Sequence, residues 1–384
     1  MQIKRGVKIF IIAFVVAVLL GLFVINSTAF TCWDFRNNLW GPSYLLVHNE
    51  SPYRVDKLFD LGNAVWMPMA VGLFFPLGFL SLQQASNLWF VFNLFWFLLI
   101  VWISSGSRRP SIFLFAIVLL LSFLFPPLVT HLWSGQITIL ITLVFLIIAT
   151  WDDELSALKL ATLLAVGLSK PQLAILALPG FMFYRIKKYE IQGAALLGVL
   201  LMCSILILTI PLFIAYPGWF PDFLSEIQQN PSWAHPSSLN FLRNALPNSG
   251  EVIWILLAVF VFIVNTWLWR ALPGREAVYW SLALTPLVTP YVWTWDFVIL
   301  LPLFISTLFR MKSKFSMGVL LTSYLLLWAL ITNMKIQDEV YESHFWWIPW
   351  LMISVVIAGR LVENRLELRA YFSNWRDTIA DKST

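Results

Sequence analysis

Long apolar runs broken by short polar stretches recur along the whole chain, and the runs predict where it is helical. Runs of this length predict membrane-spanning helices rather than core helices or strands. Reading them against prolines, glycines and charges gives spans near 7–25, 87–103, 111–127, 137–150, 157–169, 172–184, 191–214, 251–269, 277–290, 294–309, 317–334 and 345–359. The expected fold is an all-α polytopic bundle of about 12 transmembrane helices. The first run follows a basic stretch but is too long for a signal-peptide core, and no small-residue cleavage site follows it. It reads as an uncleaved span.

Lys and Arg fall in alternate loops: Lys4, Arg5 and Lys8; Arg108 and Arg109; Arg185, Lys187 and Lys188; Arg270 and Arg275; Arg310, Lys312 and Lys314; and the tail from Arg360 onward. Basic loops stay on the cytoplasmic side, so both termini are expected there. The segment "VWMPMAVGLFFPLGFLS" (65–81) breaks the pattern. Counting it as a span would reverse every later loop, and it carries Pro68, Gly72, Pro76 and Gly78. It is expected to be re-entrant or interfacial, packed on protein or lining a cavity. Two large external loops then follow, about 26–86 and 215–250, on a transmembrane domain of residues 1–359. The tail 360–384 is expected to lie on the cytoplasmic surface as an amphipathic helix.

Composition reinforces this picture. With 60% hydrophobic and 12% charged residues, lipid must serve as solvent for much of the surface. The net charge of +5 is accounted for by basic loops, so no nucleic-acid partner is expected. Cys32 and Cys203 are not expected to pair.

Candidate chemistry gathers at the external junctions. Asp34, in "TCWDFRNN", stands just after the first span, as a general base for a hydroxyl or as a solvated loop charge. The loop that follows alternates aromatic and polar residues like a carbohydrate-facing surface and includes Tyr53 in "SPY". "PPLVTHLWSGQITIL" (126–140) offers His131 and Gln136, the latter as a sugar ligand or a helix cap. Lys170, in "GLSKPQLAIL", is costly between apolar segments unless it is paired, snorkelled to headgroups or bound to phosphate. "TPLVTPYVWTWDFVILLP" (285–302) holds Asp296 at a third external junction beside Trp293 and Trp295, as a second carboxylate or as a charge favoured by a helix dipole. His235 and Arg243 in the second large loop are further candidate substrate contacts. P-loop, GxGxxG, HExxH, CxxC and GxSxG motifs are absent. "WDDE" (151–154) has the look of a metal-holding aspartate pair but falls on the cytoplasmic side, where it reads as a solvated turn. Four scattered histidines give no ligand spacing, so neither a metal nor a cofactor is expected.

The order of these elements resembles the polyprenol-phosphate-mannose-dependent mannosyltransferases of glycosyltransferase family 87, in the GT-C superfamily. That order is a first span, an external Asp, an aromatic loop ending "SPY", a Pro-containing apolar segment, "SGQITIL", "SKPQ" and "TPYVW". The resemblance covers roughly residues 1–310. It implies a GT-C-like bundle with Asp34 as the catalytic Asp, and it maps the Gly-Gln and Lys-Pro elements onto Gly135, Gln136, Lys170 and Pro171. Where family members commonly carry His after the Pro-x-x-Trp element, this chain has Asp296. The implied activity moves a hexose, mannose above all, from a polyprenyl-phosphate donor held near Lys170 to a glycan, glycolipid or lipid hydroxyl. Asp34 deprotonates that hydroxyl, with inversion at the anomeric carbon. The expected setting is the plasma membrane with the site facing outside. A transporter or flippase of lipid-linked sugars would bind with the same groups, but no paired broken helices are seen. A membrane acyltransferase would rest on His131 alone.

Overall fold

The computed structural model describes residues 32–59, 64–106, 112–228, 235–336 and 341–381, with isolated positions between 15 and 26 and side chains as far as Arg365. All regular structure among the described residues is helical. Five helices are long and apolar enough to cross a membrane: Leu82–Ser105, Ala177–Ala215, Gly250–Ala271, Lys314–Ile336 and Glu342–Arg365. A sixth crossing is available if Leu114–Phe123 and Pro126–Ser134, bent by 66° to each other, act as one. The protein is a multi-pass membrane protein. Most of the expected first span, the basic pair Arg108 and Arg109, and the side chains of the distal tail lie outside the described residues.

The helix boundaries have local causes. Ser81 starts the Leu82–Ser105 helix with a capping box: its hydroxyl accepts from the Gln84 amide, and the Gln84 side chain accepts from the Ser81 amide. The helix stops at Gly106, whose φ of 80° no long apolar side chain would favour. Ala177–Ala215 is two arms, because Tyr189 and Glu190 leave helical geometry, Glu190 with φ 60°. The apolar runs at 172–184 and 191–214 correspond to those arms. Runs at 137–150 and 157–169 form the shorter helices Thr138–Trp151 and Ala157–Gly167. The final helix, Ile348–Asp381, passes residue 360 without interruption.

Segment 65–81 is helical over Pro68–Phe79. At about 1.5 Å per residue it falls well short of the ~30 Å hydrocarbon layer. It packs on the Ala177–Ala215 helix so closely that a Cβ on Gly72 would sit 1.6 Å from the Leu208 carbonyl oxygen. A satellite core of Leu45, Tyr53, Val55, Val71, Leu212, Trp219 and Phe223 joins the first loop to the second, and the Ser51 hydroxyl donates to Asp222 across them. By contrast, Gly250–Ala271 leaves Val252, Leu256, Val259, Phe260, Ile263 and Trp267 exposed, an apolar face suited to lipid.

Candidate functional site

Three separate stretches meet around Asp34. Residues 33–47 form one continuous helical segment, π-type over Arg36–Trp40. It begins at Cys32, held in the left-handed region (φ 58°) by its amide, which donates to the Trp133 carbonyl at 2.7 Å. A left-handed cysteine is strained and persists only when its surroundings fix it. On the facing side, Gly135 ends the Pro126–Ser134 helix with φ 74°, and a Cβ there would lie 2.6 Å from the Phe35 Cβ. The Trp89 indole donates to the Gly135 carbonyl at 2.7 Å and stacks on Phe35. Glycine at 135 therefore lets two backbones close up, and the closure delivers Gln136 to Asp34.

The result is a continuous polar chain. The Gln136 amide donates to one Asp34 oxygen. The Asn38 amide donates to the other at 2.8 Å, while its own oxygen accepts from the Val65 amide at 3.2 Å. Lys170 Nζ donates to Gln136 Oε1 at 3.3 Å and to Asp296 Oδ1 at 2.6 Å. Asp296 also accepts from the Thr138 hydroxyl and, through Oδ2, from the Trp293 amide at 3.1 Å. Asp34, Gln136, Lys170 and Asp296 are all buried. Asp296 thus joins the cluster and, at the start of the 3₁₀ turn Thr294–Leu300, accepts from the Trp293 amide that precedes it. Burial of its ammonium rules out the snorkelling reading of Lys170.

Electrostatics sets the carboxylate at Asp34, outside the spans, apart from an ordinary loop aspartate. Burial lifts its pKa to about 7; Asp296 adds to the rise, and Lys170 and the Asn38 hydrogen bond oppose it. Beside the cluster stands an aromatic wall. Trp295 stacks on Trp293 with centroids 5.0 Å apart and meets Trp33 edge-on, while His235 lies against Trp293 and Tyr291. Burial pushes the His235 imidazole down to about 4, with Lys170 working in the same direction and Asp296 against it, so it is neutral at physiological pH. Four buried polar atoms at this wall and beside Lys170 lack a hydrogen-bond partner among the described residues: Ser169 Oγ, Thr294 Oγ1, Trp295 Nε1 and His235 Nε2. Buried orphans are rare, and these four sit on residues that flank Lys170 and Asp296 in the chain or belong to the aromatic wall.

Other candidates fall elsewhere. His131 is buried near the cluster, its Nε2 3.3 Å from Asn93 Oδ1. Tyr53 packs between Trp219 and Phe223 in the satellite core. Arg243 is exposed and paired with Glu251 at 2.9 Å. "WDDE" is not a solvated turn throughout: Asp152 is buried against Arg185 at 2.9 Å, and Asp153 pairs with Lys188. Among the described residues no group of three His, Cys, Asp or Glu could hold a metal ion. Asn38, Asn93 and Thr138 escaped the sequence reading. Asn38 is four residues from Asp34, the spacing at which helical side chains meet. Asn93 is an amide inside an apolar span, itself a signal of function or packing.

The sequence model of glycosyltransferase family 87 matches residues 66–292. The chain belongs to glycosyltransferase family 87. It is therefore an enzyme that transfers glycosyl groups, which sets aside the transporter and acyltransferase readings. No curated protein and no solved structure matches the chain. The family 87 match includes Gln136 and Lys170 but neither Asp34 nor Asp296, so the geometry joins two family-matched residues to two outside the match.

Proposed function

We propose that this family 87 enzyme moves a hexose, mannose by its resemblance, from a polyprenyl-phosphate donor to an acceptor hydroxyl at the external membrane face. The observation that carries the reading is the buried chain Asp34–Gln136–Lys170–Asp296. Lys170 has three N–H donors, and two are used by Gln136 and Asp296. The third is left for an anionic donor phosphate. The acceptor O–H gives its proton to Asp34, and its oxygen forms a bond to the anomeric carbon. The bond from that carbon to the phosphate oxygen breaks, and the electron pair leaves with polyprenyl phosphate. Attack opposite the leaving group inverts the anomeric centre. Gln136 orients the Asp34 carboxylate. Sugar hydroxyls pair with the orphaned atoms of Ser169, Thr294, Trp295 and His235, and the sugar's apolar face lies on Trp295 or Trp33.

The topology proposed with this chemistry has about 12 crossings. Both termini are cytoplasmic, the site faces outward across a plasma membrane, residues 1–359 form one transmembrane domain and residues 360–384 a surface tail. The functional test incubates the purified protein in nanodiscs with a panel of polyprenyl-phosphate sugars and a hydroxyl acceptor, measuring polyprenyl phosphate release. Acceptor-dependent release with one of the sugars supports the reading. Release from none of them, alongside transfer from a nucleotide sugar, would replace it.

A further inference from the structure

A second polar site lies at the opposite end of the bundle. The Gly274–Val288 helix and the following segment 294–310 run in opposite directions, and their ends meet where Arg310 and Arg360 both bind Glu276. Asp296 stands at the far end of that pair, roughly 20 Å away by helix rise. A cavity of about 320 Å³ lies here, at the small end of the range of ligand-binding clefts. Its lining includes Arg275, Arg310, Tyr279 and the hydroxyls of Ser104, Ser105 and Ser306.

Charge and position both bear on what would fill it. Glu276 is shared by two guanidiniums, Arg310 and Arg360. Arg275 reaches no carboxylate among the described residues; its Nε donates to the Tyr279 hydroxyl at 2.9 Å. The cavity thus carries an excess of positive charge, donors in fork geometry and several hydroxyls, the chemistry that recognises a phosphate. It also opens at the end of a span, since Ser104 and Ser105 close the Leu82–Ser105 helix, and Phe309 adds an apolar edge. Trp102, one turn earlier, is 60% exposed, as expected of an aromatic at the membrane boundary.

We propose that this cavity binds a phosphate group presented at the membrane surface, held by Arg275 and Arg310 with Tyr279 and the serine hydroxyls, at a site separate from the glycosyl-transfer cluster. The full-length protein in detergent is titrated with short-chain phosphatidate, phosphatidylcholine or inorganic phosphate, and bound species are counted by native mass spectrometry. Phosphatidate binds saturably in preference to phosphatidylcholine. Arg275→Gln and Arg310→Gln each weaken it about tenfold, the size expected for one charge-assisted pair. Arg275→Lys, which keeps the charge and the packing, retains part of the affinity. Inorganic phosphate binding with the same arginine dependence, where phosphatidate fails, keeps the site and assigns its ligand to soluble phosphate. Binding by neither, or binding unchanged in both glutamine variants, overturns the proposal.

Discussion

Lys170 and Asp296, 126 positions apart in the chain, meet at 2.6 Å in an interior where neither side chain is more than 6% exposed. A buried pair of this kind is a weak source of net stability, yet breaking it from one side is expensive, at about 3–5 kcal/mol, because it strands a charge. Lys170→Met is therefore expected to lower the melting temperature as well as donor binding. The double variant Lys170→Met/Asp296→Asn removes both charges and is expected to regain most of the stability. Donor affinity should not return with it, since the phosphate still lacks its cation. A double variant that binds donor like wild type would show that Lys170 only balances Asp296.

Gly135 is the hinge on which Gln136 reaches Asp34. Gly135→Ala must place a Cβ 2.6 Å from Phe35 while holding φ at 74°, and the backbone strain alone is about 1–3 kcal/mol. Gly106 is the comparison, also at positive φ (80°), in a region only glycine adopts readily, but with nothing within 4 Å. Thermal unfolding and transfer rate measured on both variants should separate collision from conformation. Gly135→Ala loses stability and most activity; Gly106→Ala loses stability to backbone strain alone and keeps its transfer rate. Equal losses of transfer rate in the two would remove the packing argument.

The apolar pattern made the helical, membrane-spanning class legible, because lipid imposes a simple length and hydropathy rule. It also located Asp34, Gln136, Lys170 and Asp296 near polar junctions. What it did not reveal was the partnership of Lys170 with Asp296, which depends on how segments more than a hundred residues apart stack. Short helices such as Thr138–Trp151 were readable as apolar runs, but their length gives no rule for crossing. Tyr53 and Arg243 show what the pattern leaves out about surroundings. An aromatic in a turn and a cation in a loop read alike as candidate ligands, and only the fold shows Tyr53 among Trp219 and Phe223 and Arg243 beside Glu251. The burial of Asp152 was hidden for the same reason, since its partner Arg185 lies in another helix.

The proposed topology makes its own demand on accessibility. Asn49, Ser81, Lys187 and Asn248 are exposed. Single cysteines at 49, 81 and 248, in a background with Cys32 and Cys203 replaced, are expected to react with a membrane-impermeant maleimide in intact cells. Cysteine at 187 should react only after lysis. Labelling of 49 and 81 from opposite sides would mean that Pro68–Phe79 belongs to a crossing, and the later loops would change sides with it.

Asp34 carries the central prediction. An aspartate ordinarily titrates near 3.8, and here burial holds it at about 7. A base acts only when deprotonated, so the transfer rate should rise with pH through about 7 and level off above it. One unit below the midpoint, about a tenth of the molecules carry the active carboxylate, which fixes the depth of the acid limb. An aspartate left at its ordinary value would give a flat profile from pH 5 upward. Asp34→Asn preserves shape and removes the base, and the loss of general-base assistance is worth about 10²–10⁴-fold in rate. Folding should persist, because the amide keeps the side chain's volume and one acceptor oxygen for the Gln136 or Asn38 amide, and donor binding should persist because Lys170 is untouched. The two measurements check each other: the residual rate of Asp34→Asn should lose the acid limb as well as its magnitude. A variant that keeps near-wild-type transfer with the same rise through pH 7 would move the base elsewhere in the cluster, with Asp296 the remaining carboxylate beside Lys170.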